Sequence, residues 1–173
     1  MTTMRTASSR RPARSRAALI AVLTSAGVML TPLAAQANAG GSAPPVAAPV
    51  APVVAPNAVA QVAVDTALAQ QGDPYVWAGA GPDTFDCSGL TQFAYAAAGV
   101  SLPHSSRMQS TIGTPVARAD LQPGDLIFFY SPVGHVGMYI GNGLMVHAPT
   151  TGDVVRIASV DTMYGYNSAR RLA

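Results

Sequence analysis

Three side chains in this sequence can do nucleophilic chemistry together. Cys87 is the single cysteine, and the only histidines are His104, His135 and His147. A thiol attacks an amide carbonyl as its thiolate, so it needs a base, and a third polar group must fix which ring nitrogen of that base carries the proton. Cys87, His135 and His147 supply one of each. Two histidines with no carboxylate or thiol ligand beside them in sequence make a poor metal site, so neither a metal nor a cofactor is expected. The alternatives are plain: a lone thiol is often a small buried hydrophobe, and a sheet histidine is often merely satisfied by its neighbours. The surrounding elements decide between them.

Asp86 is a good N-cap, and Leu90, Phe93, Ala94 and Ala97 follow the i, i+3, i+4, i+7 spacing of an amphipathic helix that Gly99 ends. Cys87 then stands in the first helical turn, where free backbone N–H groups and the helix dipole lower a thiol's pKa and can hold an oxyanion. The turn-forming run Gly79 to Thr84 just before it keeps that helix start open to solvent. His135 and His147 fall in one hairpin, with strands 135–140 and 144–148 joined by Gly141-Asn142-Gly143. A three-residue loop pairs Ile140 with Leu144 and puts His147 diagonal to His135 on one face with Gly137, leaving Val136, Met138, Ile140 and Val146 on the other. A two-residue loop would send the histidines to opposite faces. Further helices are expected over 57–71 and 104–111, and further strands over 126–130 and 153–158. His104 reads as a rim or capping residue, and Asp125, in a Pro-Gly-Asp turn, as structural.

The rest of the chain is spent on delivery. Residues 1–39 read as a signal peptide: five arginines, an apolar stretch from Ala17 to Leu30 too short to span a bilayer, and Ala37-Asn38-Ala39 for cleavage. A retained membrane anchor is the competing reading, and the Arg10-Arg11 pair hints weakly at twin-arginine export. Residues 40–56 alternate Pro with Ala and Val, a semi-rigid spacer expected to bury nothing. Residues 57–173 make one domain with an ordinary hydrophobic core. After cleavage five arginines face eight aspartates, a net charge of −3, so the basic leader accounts for the positive whole-chain charge. No basic patch remains for a phosphate backbone, and nucleic acid is not an expected partner. The expected product is an exported monomer, secreted or in the cell wall, with no membrane attachment once the leader is removed.

Four motifs then coincide in order and spacing. They are Asp73-Pro74-Tyr75-Val76-Trp77-Ala78-Gly79, Phe85-Asp86-Cys87-Ser88-Gly89-Leu90, Leu121-Gln122-Pro123-Gly124-Asp125-Leu126-Ile127-Phe128-Phe129, and His135-Val136-Gly137-Met138-Tyr139-Ile140-Gly141-Asn142-Gly143 with Val146-His147-Ala148. From about residue 58 to the C-terminus the chain resembles the NlpC-type cell-wall cysteine peptidases, and within them the short actinobacterial invasion-associated endopeptidases. The resemblance implies a papain-like α+β fold, helices packed on a central antiparallel sheet, with the nucleophile at a helix N-terminus. It implies hydrolysis of peptidoglycan stem peptides at the D-isoglutamyl–meso-diaminopimelate bond. Carried over by position, Cys87 is the nucleophile, His135 the general base and His147 the third residue, while Tyr75, Asp86 and Ser88 contact substrate. Ala78 stands where the family often has glycine. On this reading His147 favours the charged form of His135, and the acid limb of activity follows the titration of the pair. The rivals are a non-catalytic peptidoglycan-binding module and an amidase or acyltransferase on the same fold.

Overall fold

The computed structural model describes residues 52–173. The expected leader, and the spacer as far as Ala51, lie outside the described residues. Helix α1, Ala58–Ala69, is capped by Asn57, whose side chain accepts from Ala60 N–H at 2.9 Å, and it buries Ala60, Ala63, Val64 and Ala67 along one stripe. Helix α2 runs Cys87–Ala97 and α3 is one turn, Ser106–Gln109. Strands β1 (Thr114–Pro115), β2 (Leu126–Phe129), β3 (His135–Gly141), β4 (Leu144–His147), β5 (Arg156–Ser159) and β6 (Tyr166–Arg171) form one antiparallel sheet in the order β1-β6-β2-β3-β4-β5. The α+β architecture expected from the sequence is therefore present.

Alternation along the strands separates two apolar layers. Leu126, Phe128, Val136, Met138, Ile140 and Val146 face α1 and α2 and join Val64, Phe85 and Leu90 in the main core. Ile127, Phe129, Met145 and Val160 form a smaller cluster on the other side. Each large side chain buried this fully contributes roughly 2–3 kcal/mol. On α2 the inward stripe includes Tyr95 rather than Ala97. Tyr95 is buried because its hydroxyl donates to the Gly124 carbonyl at 2.6 Å, which satisfies the one polar atom it carries.

Two segments differ from expectation for physical reasons. The last strand, β6, reads Tyr-Asn-Ser-Ala-Arg-Arg and has no apolar alternation; among its residues only Ala169 is fully buried. It is held by its pairing with β1 and β2, and by Arg171, which donates to both oxygens of the buried Asp125 at 2.8 and 2.7 Å. The spacer also does not stay free of the domain. Val53 packs against the main core, and the Gln61 side chain accepts from Ala55 N–H at 2.8 Å and donates to the Val53 carbonyl at 3.0 Å. Apolar Val53 and a side-chain amide matched to the backbone dock the last residues of a segment expected to bury nothing.

Candidate active site

The hairpin that carries the histidines reaches the expected geometry by another route. Gly141 pairs with Leu144, so the loop is only Asn142 and Gly143, both at positive φ (54° and 72°), as a tight hairpin turn needs. That loop alone would reverse the faces. A bulge between Tyr139 and Gly141 inserts one residue and restores the parity, so Met138 pairs with Val146 and Tyr139 with Met145. His135 and His147 thus share a face, their rings 5.2 Å apart and nearly perpendicular, with His135 Nε2 3.0 Å from His147 Nδ1. Gly137 makes this possible: a Cβ there would stand 2.8 Å from the Met145 sulfur and 3.4 Å from His147 Cβ.

Cys87 opens α2, and Asp86 caps it by accepting from Gly89 N–H at 2.7 Å. The same carboxylate accepts from Ala78 N–H at 3.0 Å and Ser88 Oγ at 3.1 Å, and His104 Nε2 lies 2.9 Å from both its oxygens. Asp86 therefore ties the preceding loop, the helix start and the rim into one unit, and its acceptor positions are taken by the protein itself. Gly89 allows the loop to close on the helix, since a Cβ there would meet the Gly79 carbonyl oxygen at 1.9 Å. Capping of α3 falls to Ser105, which leaves His104 on the rim.

A cleft of about 340 Å³ collects Tyr75, Trp77, Ala78, Asp86, Cys87, Ser88, His104, Ser105, Ser106, Gly134, His135 and Pro149. The half-buried thiol is thus reached from solvent beside His135, while His147 stands behind His135 and is 2% exposed. Two features at or beside the cleft had no role in the sequence reading. Trp77 is 81% exposed although its loop is pinned, with Ala78 held at φ 61°. Buried Gln109 donates to the carbonyls of Ser88 and Pro103 and accepts from Thr91 Oγ1, bracing the first turn of α2. A glutamine in a four-residue helix gives no sequence signal of that task.

Burial opposes the charged thiol that the helix position favours. Burial pushes the Cys87 thiol above its ordinary value, and the Asp86 charge adds to this, against the backbone N–H groups of Val136, Ser88 and Cys87 that pull it down. Desolvation outweighs the helix terminus. Burial, with the neighbouring His147, lowers His135 to about 3; burial and Arg156 lower His147 to about 4 against Asp153. Burial thus works against a thiolate–imidazolium pair at this site.

A thiol at a helix start facing an imidazole pair on an antiparallel sheet defines a papain-like thiol–imidazole site. The chain belongs to the NlpC/P60 family, whose profile matches residues 72–171. It is 47% identical over 131 residues to a probable endopeptidase of Mycobacterium tuberculosis, covering 74% of this chain and 34% of that relative, so it spans about a third of the relative's length. An NlpC/P60 family protein from Bacillus cereus is similar in structure, with a TM-score of 0.63 and 38% identity over 69% of this chain and 41% of that one. The NlpC/p60 domain of the peptidoglycan hydrolase SagA gives 0.61 and 33%, covering 65% of this chain and 98% of that domain.

Proposed function

We propose that this chain is an exported cysteine endopeptidase that hydrolyses peptidoglycan stem peptides, with Cys87 as nucleophile, His135 as general base and His147 as the residue that orients it. The observation that carries this is the sharing of one cleft by Cys87 and His135, with His147 Nδ1 3.0 Å behind His135 Nε2. Because Nε2 of His135 is engaged by His147, its Nδ1 is the nitrogen left to take the thiol proton. Once protonated, His135 carries N–H on both nitrogens, so His147 must accept at Nδ1 and keep its own proton on Nε2.

Because burial disfavours a separated thiolate and imidazolium, proton transfer is proposed as part of the attack rather than a prior equilibrium. As sulfur bonds to the carbonyl carbon, the proton passes to His135, and the ion pair and oxyanion appear together. N–H groups of the first turn of α2 stabilise the oxyanion. His135 then gives the proton to the leaving amine, and water attacks the acyl-enzyme with His135 again as base. Tyr75 and Ser88 line the cleft where the peptide would lie, and Asp86 acts through the loop, helix and His104 it holds. The bond proposed is that between D-isoglutamate and meso-diaminopimelate. The enzyme would work as a monomer in the wall or medium, without metal or membrane attachment.

The test is digestion of purified muropeptides by wild type and Cys87→Ala, followed by mass spectrometry. The expected result is a new carboxylate within the stem peptide from wild type and none from the variant. Release of intact stem peptide from glycan would replace endopeptidase by amidase. Cleavage by Cys87→Ala, or binding without cleavage by wild type, would refute the assignment.

A further inference from the structure

Two tyrosines stand outside the cleft with little of the fold over them. Tyr164 is 84% exposed and Tyr130 38%. Their ring centroids are 6.0 Å apart with planes inclined at 47°, so each leans on the other without stacking on it. Tyr130 does not owe its place to slack chain. Tyr130 has φ 72°, a left-handed backbone that costs a residue with a side chain free energy. Its N–H donates to the Gly165 carbonyl at 2.6 Å, and Asn167 Nδ2 donates to its carbonyl at 3.0 Å. Gly165, also at positive φ, lies so close that a Cβ would touch the Tyr130 ring at 3.0 Å.

Tyr130 adjoins the cleft, and Tyr164 leans on Tyr130. Phe129 pairs with His135 on one side and Tyr166 on the other. At about 4.8 Å between strands, Tyr166 is about 10 Å from His135 across the sheet, and Tyr130 follows Phe129 at that same end. Gly134, which lines the cleft, has its Cβ direction 3.6 Å from the Tyr130 ring. Charges nearby are spent on each other: Arg118 pairs with Asp161, and its guanidinium lies 4.6 Å over the Tyr166 ring. What the surface offers is aromatic faces, phenol hydroxyls and the side-chain oxygen of Asn167. That combination suits an uncharged ring bearing axial C–H groups and hydroxyls, and it suits neither a phosphate polymer nor a basic peptide.

We infer that Tyr130 and Tyr164 form a saccharide subsite that receives a hexosamine ring of a glycan strand while a stem peptide lies in the Cys87 cleft. The polymer named rests on the peptidoglycan reading above; the ring contact does not rest on the catalytic assignment. Glycan flanks a cross-linked stem peptide on both sides. Tyr130, already held by its backbone contacts, loses little freedom on binding a ring.

The test uses the full chain with Cys87→Ala, so that no substrate is consumed. Binding is measured to peptide-free glycan strands and, separately, to soluble stem peptide. The expected result is saturable glycan binding that Tyr164→Ala weakens about tenfold or more and Tyr164→Phe preserves. Stem-peptide binding should be equal in all three proteins. With Cys87 restored, Tyr164→Ala should slow cleavage of insoluble wall more than that of short soluble peptide. Absence of glycan binding, equal binding by Tyr164→Ala, or binding that is lost in moderate salt as an anionic polymer's would be, overturns the inference. A failed peptidase assignment would show separately, as cleavage that persists in Cys87→Ala while glycan binding stands.

Discussion

Acid should loosen this fold in a way that reports how readily its buried imidazoles take up protons. In the unfolded chain each histidine titrates near 6.5, whereas in the fold burial holds His135 at about 3 and His147 at about 4. Below pH 6.5 the unfolded chain therefore binds protons that the folded chain refuses, and stability falls with falling pH until about pH 4. From pH 7 to pH 5, the loss is about 2 kcal/mol per histidine, so about 4 kcal/mol for both. Urea unfolding of wild type and His147→Asn at pH 7, 6 and 5 measures it, and the variant should lose only about half as much. A wild-type stability flat over this range refutes the argument, because it would mean that the folded protein takes up protons on these histidines as readily as the unfolded chain does.

The same burial places the acid limb of kcat/KM below the ordinary histidine range, so activity at pH 5.5 should stay near its neutral value; a midpoint at 6 to 7 would contradict it. Gly89→Ala would drive a Cβ into the Gly79 carbonyl oxygen, so the loop must leave α2; a stability loss above about 2 kcal/mol by thermal unfolding is expected, and a neutral substitution would deny that contact. Arg171→Ala leaves the Asp125 carboxylate, 1% exposed, without its cation and should cost about 3 kcal/mol in denaturant, partly regained by Asp125→Asn in the same chain.

What the sequence disclosed were the features set by local pattern. Asp86 marks a helix start, the first helix falls within the expected 57–71, and alternation through 135–147 put both histidines on one side. The hairpin shows how a right answer can come from the wrong turn: a shorter loop and a bulge cancel in parity, and glycine flanking Asn142 fits either arrangement. Polar β6 was illegible because its neighbours, rather than its own residues, make it a strand. The charge state was illegible for a related reason. Helix position is local, but desolvation of Cys87 and His135 is imposed by everything packed around them.

Gln61 grips the strand-like residues 53–55 beside Pro123 and the Gly141–Asn142 turn, at the opposite end of β3 from His135. Six residues of strand separate those ends, about 20 Å. The polypeptide therefore joins the domain at its back, and tension on the incoming chain would be borne by a Gln–backbone clasp instead of the reactive mouth. Residues 52–55 are thereby kept away from the cleft that Cys87 and His135 share.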